Sequence, residues 1–198
     1  MKILILGAGA VGGYFGGRLL QAGADVTFLV RPPRAQTLAR RGLVIKSEHG
    51  DAEIPVRTVL QEAVRPDFDL VILSCKAYDL EGSIVSLAGA MGPNTLILPL
   101  LNGMAHLPRL EQAFGSARVL GGTCFIGAVL DADGSIRQLD QFQSIACGAR
   151  AGNQAHAGAL LKALAQAYAR VSLECKVSAI IEQDMWEKFV MLVSLAAM

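Results

Sequence analysis

A glycine-rich turn directly after the first apolar run constrains this chain more than any other feature. Residues 3–6 form an apolar run that predicts a buried strand, and Gly7, Gly9 and Gly12 follow at the spacing GxGxxG. In a dinucleotide-binding fold the first glycine permits the tight turn, the second lets a pyrophosphate approach the backbone, and the third packs the helix closely on the strand. The free N–H groups of the helix then face the phosphates. The segment predicts a dinucleotide site, with a plain glycine turn as the alternative.

Apolar runs that alternate with helical patterns follow this turn. Residues 70–73 read Leu-Val-Ile-Leu, and a near-continuous apolar run is typical of a parallel strand that helices cover on both faces. Strands of this kind are predicted at residues 26–30, 70–73 and 95–98, and helices at residues 14–22, 34–41 and 106–114.

The second half of the chain has a different pattern. Asp133 and Gly134 give a strong turn signal between strand-like segments, as expected for a short meander. Together the two halves predict an α/β fold, a Rossmann-like, doubly wound and mostly parallel sheet with a mixed edge. Further strands are predicted at residues 43–45, 54–56, 119–130, 135–139, 144–147 and 171–175, and further helices at residues 155–169 and 180–198.

The composition excludes several classes of partner. The 198 residues carry a formal net charge of +1, so we expect neither a nucleic-acid surface nor a polybasic membrane patch. No run approaches the roughly 20 apolar residues that a membrane helix needs. The four cysteines form no CxxC pair and predict small buried side chains in a reducing compartment, which favours the cytoplasm. His49, His106 and His156 lack ligand spacing, so they are assigned to the surface or to loops and no metal site is predicted.

The end of the second predicted strand indicates which dinucleotide would bind. In this fold an Asp or Glu about 20 residues after the glycines binds the ribose 2′-hydroxyl. Here Arg31 follows the strand, and Asp25 lies at its other end. Because a guanidinium group binds a phosphate through charge-assisted hydrogen bonds, Arg31 favours NADP(H) over NAD(H). The alternative is a solvated loop arginine. Arg34 could assist Arg31, although it is expected to face solvent.

Three further polar residues have competing interpretations. Lys76 follows the Leu-Val-Ile-Leu strand, at the sheet edge where ligands bind, but an exposed loop lysine explains it equally well. Asn102 precedes Gly103, and by itself this pair indicates a turn. Lys188 lies four residues after Asp184, so a surface ion pair on one helix face is its simplest interpretation.

Five features together resemble the ketopantoate reductase (2-dehydropantoate 2-reductase) family. They occur in the family's order over the whole chain: GAGAVGGYFG from Gly7, Arg31, SCKA from Ser74, LNGM from Leu101 and WEK from Trp186. Members of this family have an N-terminal Rossmann domain and a C-terminal helical domain, with the substrate between them. The resemblance implies an NADP-binding domain at residues 1–178 and the start of a truncated helical substrate and dimerisation domain at residues 179–198.

The resemblance also implies roles for individual residues. Lys188 would be the catalytic lysine, and Asn102 would lie at the nicotinamide and the substrate. Arg31 and Lys76 would meet the adenosine phosphate end, and Ala128 would lie near the cofactor. The residues that would hold the pyrophosphate are Gly7, Ala8, Gly9, Ala10, Val11 and Gly12.

The activity that the resemblance implies is the NADPH-dependent reduction of 2-dehydropantoate to pantoate, or of a related 2-keto acid. Leu192 and Ala196 stand where family members that make pantoate carry asparagines, so a more apolar keto acid is an alternative substrate. A second hypothesis, of a different class, is an NADP(H)-binding regulatory or sensing module without turnover.

The last predicted helix ends in an apolar segment, residues 193–198. An apolar helix face must be buried somewhere. We therefore expect that the chain is a fragment, or that its last helix packs on a partner chain. The second case would give a homodimer through the C-terminal helical region.

Overall fold

Helices and strands alternate along the chain in the computed structural model, which describes residues 1–197 apart from the side chains of residues 154–156. The helices are α1 (Ala10–Gln21), α2 (Pro32–Arg41), α3 (Leu80–Leu87), α4 (His106–Phe114), α5 (Gln154–Ala169) and α6 (Ile181–Ala196). The strands are β1 (Lys2–Leu6), β2 (Asp25–Leu29), β3 (Leu43–Lys46), β4 (Ala52–Ile54), β5 (Arg57–Val59), β6 (Leu70–Leu73), β7 (Leu96–Pro99), β8 (Gly121–Phe125), β9 (Ala128–Leu130), β10 (Ile136–Gln138), β11 (Ser144–Gly148) and β12 (Glu174–Val177).

The central sheet has five parallel strands in the order β5-β2-β1-β6-β7. Side chains of β1 alternate between two cores: Ile3 and Ile5 pack with Tyr14 of α1 on one face, and Leu4 packs with Leu110 of α4 on the other. This burial on both faces explains the near-continuous apolar runs. The predicted doubly wound, Rossmann-like parallel sheet is confirmed. Strand order reverses beside β1, which makes the carboxyl ends of β1 and β6 the expected ligand site.

The remaining strands lie in two separate small mixed sheets, β4-β3-β10-β9 and β12-β11-β8, so the prediction of a mixed edge on the central sheet is wrong. Helix α1 separates one of them from the central sheet. Gly16 of α1 faces Phe28 of the central sheet, and Gly17 faces Leu43 and Ile45 of the small sheet. A glycine on each side of the helix lets both sheets approach its backbone. Helix α1 therefore lies between the two sheets and separates them.

Several element boundaries differ from the sequence-based expectation. Helix α1 begins at Ala10 rather than at residue 14, because the glycines that pack it against the sheets belong to the helix and not to the turn. Strand β12 begins at Glu174, and the left-handed Ser172 (φ 55°) places the preceding residues in a turn. Strand β5 and helix α3 were not predicted at all, since neither segment has a clear apolar period.

The histidine assignments are only partly correct. His49 is exposed, with Nε2 2.9 Å from the carbonyl oxygen of Gln141. His106, in contrast, is buried at the start of α4, where burial and the nearby charge of Arg150 lower its pKa to about 4. The side chain of His156 lies outside the described residues.

Helix α6 confirms the predicted C-terminal helix as far as the structure describes it, and Met198 lies beyond that range. Ile181 and Met185 are buried against the rest of the chain, whereas Trp186 and Val193 are about half exposed at 50% and 51%. This exposed apolar face is the one that the sequence analysis expects to be buried by a further segment or by a partner chain. Among residues 1–197, no helix combines the length and the apolar character needed to cross a membrane.

Candidate functional site

A cavity of about 1030 Å³ opens at the carboxyl ends of β1, β2, β6 and β7 and extends to α6. It brings together nearly all of the residues that the sequence analysis selected, although they come from distant parts of the chain. Gly12 does not line it, because it lies behind the turn. The selected residues that line it are Gly7, Ala8, Gly9, Ala10, Val11, Arg31, Lys76, Asn102, Ala128 and Lys188.

The three glycines of the turn differ in what surrounds them. Gly7 has a φ of +84°, a left-handed conformation that side chains disfavour, and it makes the turn out of β1. Gly9 is the N-cap of α1, and a Cβ atom there would meet no atom within 4 Å, so its backbone faces open space. At Gly12 a Cβ atom would lie 2.8 Å from the carbonyl oxygen of Gly7. This cradle at a helix N-terminus fits the pyrophosphate of a dinucleotide.

A Gly12→Ala substitution is expected to raise the Kd for a dinucleotide at least tenfold. The added methyl group would collide with the Gly7 carbonyl and displace the turn from α1. Isothermal titration with NADPH measures the effect. Gly158→Ala is the matched control, because Gly158 lies in α5 and a Cβ atom there would meet nothing within 4 Å. Unchanged affinity of the Gly12 variant would show that the turn tolerates the collision.

Two cations lie at the end of the cavity where the second strand ends. The Arg31 side chain is 85% exposed, and its Nη2 lies 3.6 Å from Oδ1 of Asp79. Lys76 is exposed on the neighbouring loop and also lines the cavity. Asp79, which the sequence analysis did not select, therefore lies beside the guanidinium group that is expected to bind a phosphate. An ion pair this exposed contributes little to stability, so the guanidinium group remains available to a ligand.

Arg34 is only partly exposed, whereas the sequence-based expectation placed it in solvent, and it lines the cavity. Its Nε donates to the carbonyl oxygen of Ala8 at 3.0 Å, and its Nη1 donates to the carbonyl oxygen of Gly134 at 2.9 Å. The side chain thus connects the glycine turn with the β9–β10 turn. No local sequence signal could have revealed this contact, because Gly134 is 100 residues away in the chain.

Lys188 projects from α6 into the cavity and is only 9% exposed. Its Nζ donates to Oδ1 of Asn102 at 3.0 Å and to the carbonyl oxygen of Cys124, and it lies 5.0 Å from the centroid of the Phe125 ring. The prediction of a surface ion pair between Lys188 and Asp184 is wrong, because Asp184 pairs with Lys176 of β12 at 3.3 Å instead. Asn102 follows β7, so the sheet edge presents its amide to the lysine.

Burial changes the acidity of Lys188. Removal from water disfavours the charged amine and lowers the pKa of Lys188 below its ordinary value of 10.5, although the electrostatic interaction with Cys124 opposes this shift. A lysine with a lowered pKa gives up its proton more readily at neutral pH, while it still provides a positive charge. The arrangement can stabilise a developing oxyanion and protonate it.

The sequence analysis did not select several apolar residues that line the cavity around this lysine. Phe125 ends β8, and Met191 and Leu192 lie one turn beyond Lys188 on α6. Only Leu192 was noted from the sequence. Among the described side chains, those of residues 1–153 and 157–197, no three His, Cys, Asp or Glu residues are grouped in a way that would hold a metal ion.

Comparison with known proteins connects this site to one family. The sequence model of the ketopantoate reductase PanE/ApbA family matches residues 3–152. YkpB of Bacillus subtilis (strain 168), an uncharacterized oxidoreductase, is 38% identical over 196 residues, which cover 99% of this chain and 63% of YkpB.

Two solved structures share the fold over most of the chain. The crystal structure of 2-dehydropantoate 2-reductase from Geobacter metallireducens GS-15 is 27% identical with a TM-score of 0.84, and the match covers 95% of this chain and 61% of that one. The ternary structure of D-mandelate dehydrogenase with NADH and anilino(oxo)acetate is 28% identical with a TM-score of 0.81, over 95% of this chain and 60% of that one.

The range that the family model matches contains most of the candidate site. The glycine turn, Arg31, Lys76, Asn102 and Ala128 fall within residues 3–152, whereas Lys188 lies beyond them. The chain spans 63% of the length of its Bacillus relative. On the strength of this match, the chain belongs to the ketopantoate reductase PanE/ApbA family.

Proposed function

We propose that the protein is an oxidoreductase that uses NADPH to reduce a 2-keto acid, either 2-dehydropantoate or a related compound. The observation that carries this proposal is the buried amine of Lys188, which lies 3.0 Å from Oδ1 of Asn102 in the same cavity as the glycine turn. Ketone reduction needs a dinucleotide site and a proton donor near one carbonyl group. The family match supports this reaction, and anilino(oxo)acetate in D-mandelate dehydrogenase supports 2-oxo acids as the substrate class.

The glycine turn would hold the pyrophosphate of the cofactor. Backbone N–H groups at the start of α1, which begins after Gly9, carry the positive end of the helix dipole toward the phosphates. Ala128 and Asn102 line the cavity further along and would border the nicotinamide end. When bound, the reduced nicotinamide supplies the hydride.

NADPH, rather than NADH, is proposed on the basis of two cations. Arg31 and Lys76 line the end of the cavity where an acidic residue would bind the ribose of NAD. A guanidinium group and an ammonium group there complement a 2′-phosphate. The similar D-mandelate dehydrogenase holds NADH, and titration of both cofactors tests whether this chain differs from it.

Lys188 would act on the substrate carbonyl. Its ammonium group would bind the carbonyl oxygen, stabilise the negative charge that develops there during reduction, and donate the proton. Asn102 would position Nζ through the hydrogen bond to Oδ1. The Cys124 carbonyl oxygen accepts a second hydrogen bond from Nζ, which further restricts the direction in which the lysine points.

The activity test is oxidation of NADPH by the protein at its natural full length, followed at the nicotinamide absorbance with a panel of 2-keto acids. Turnover with at least one member is expected. Binding of NADPH without turnover of any member would contradict the proposal and favour the regulatory or sensing alternative. In that case, a change of oligomeric state on NADPH binding is the measurement to follow.

The rate of reduction is expected to fall with rising pH. The protonated amine of Lys188 is the proposed acid, so activity is lost as pH rises through its pKa, which burial holds below 10.5. The profile of kcat/KM against pH, measured from neutral to alkaline conditions, should therefore break on its alkaline side before the pH at which an ordinary lysine titrates. A flat profile through that pH would exclude Lys188 as the acid.

A further inference from the structure

The cavity wall around Lys188 is apolar on the side that continues along α6. Met191 and Leu192 follow Lys188 by three and four residues, the spacing that puts side chains on the same helix face, and both line the cavity. Phe125 closes this end from β8, with its ring centroid 5.0 Å from Nζ. Leu101 and Ile126 also line the cavity.

Three polar groups that line the cavity already accept hydrogen bonds from the chain itself. Oδ1 of Asn102 and the carbonyl oxygen of Cys124 accept hydrogen bonds from Lys188 itself. The carboxylate of Asp140, which also lines the cavity, accepts from the backbone N–H groups of Gly127 at 3.2 Å and Phe142 at 3.0 Å. A substrate hydroxyl group placed against this wall would give up its hydrogen bonds to water for contact with methyl groups.

A substrate carbonyl bound at Nζ must direct its remaining substituent along one of the neighbouring walls. The carboxylate of a 2-keto acid is attached to the carbonyl carbon and shares the positive field of the lysine, so the third substituent is the group left to contact the wall. Apolar substituents gain from this contact, whereas hydroxylated ones lose.

From this lining we infer that the substrate is a 2-keto acid whose third substituent is apolar and carries no hydroxyl group. Leu192 and Met191 are the specificity-determining residues, because they form the wall that such a substituent would contact. This inference rests on the proposed reduction of 2-keto acids and specifies its substrate.

A pair of substrates that differ by one hydroxyl group tests the inference directly. The compound 3,3-dimethyl-2-oxobutanoate is 2-dehydropantoate without its hydroxyl group. With the full-length protein and NADPH, kcat/KM for 3,3-dimethyl-2-oxobutanoate is expected to be at least about tenfold higher. Equal values, or a preference for 2-dehydropantoate, would overturn the inference while the proposed reduction stands. Reduction of neither compound, nor of any other keto acid, would instead refute the proposed function.

A Leu192→Asn variant tests which wall is responsible. The new amide can hydrogen bond to a hydroxyl group, so the ratio of the two kcat/KM values should move toward 2-dehydropantoate by about tenfold. Val193→Asn is the matched control, since Val193 belongs to the same helix but does not line the cavity, and its ratio should stay that of the parent. An unchanged ratio in a folded Leu192 variant would contradict the assignment. If that variant does not fold, the kcat/KM values of the parent protein for the two substrates still test the inference.

Discussion

Replacing Lys188 with methionine is expected to lower kcat for keto acid reduction by about a thousandfold, the size of effect typical of losing a proton donor or an oxyanion partner. Methionine keeps an unbranched side chain of similar length and removes the charge, so packing around α6 changes little. A thousandfold loss corresponds to about 4 kcal/mol of transition-state stabilisation. Steady-state kinetics at saturating NADPH measures it.

The control for this change is a lysine with a different environment. Lys176 is exposed on β12 and forms an ion pair with Asp184. Lys176→Met therefore removes the same charge nearby, outside the lining of the cavity described above. Its kcat should stay within about a factor of two of the parent, because Lys176 does not line the cavity that contains the glycine turn and Asn102. Thermal unfolding of both variants separates loss of catalysis from loss of structure. A Lys188 variant with nearly normal kcat would remove this residue from the mechanism.

The second large effect is expected at Arg31. An Arg31→Ala variant should raise KM for NADPH by roughly ten- to a hundredfold and leave KM for NADH nearly unchanged, because only NADPH carries the phosphate that the guanidinium group would bind. The ion pair with Asp79 is no obstacle, as 85% of the Arg31 side chain is exposed. Titration of both cofactors against the parent and the variant gives the comparison.

Arg40→Ala provides the matched control for cofactor preference. Arg40 is exposed on α2, the helix that begins directly after Arg31, but it does not line the cavity, so its loss changes the net charge without removing a phosphate contact. NADPH affinity of this variant should match that of the parent at moderate salt, where distant charges are screened. Equal affinity of the parent for NADPH and NADH would show that Arg31 does not bind the 2′-phosphate.

The interpretation of Lys188 illustrates where local sequence reasoning stops. The spacing of Asp184 and Lys188 favours an ion pair on a helix face, and this rule considers only neighbours along the helix. In the folded chain Asp184 forms an ion pair with Lys176 on β12, and Lys188 donates a hydrogen bond to Asn102, which is 86 residues away. The family resemblance, not the residue spacing, directed attention to this lysine.

Arg34 and His106 were assigned to the surface for a related reason. Both are polar, and polar side chains are usually exposed, but each is brought under another segment by the fold. Arg34 is partly covered where the β9–β10 turn approaches the glycine turn, and His106 is buried at the start of α4. The short β5 and α3 were missed because their stability comes from pairing with β2 and packing on the sheet, not from a local apolar period.

The sequence by itself determined the parallel sheet, the glycine turn and the cation at the end of β2. Each of these depends on local chemistry: apolar runs that must be buried, a φ of +84° that glycine alone adopts easily, and a charge at a fixed distance from the turn. Only the tertiary structure decided that Lys188 meets Asn102 beside an apolar wall formed by Met191 and Leu192. These contacts join segments far apart in the chain, and they depend on how α6 docks at the sheet edge, which no local pattern encodes.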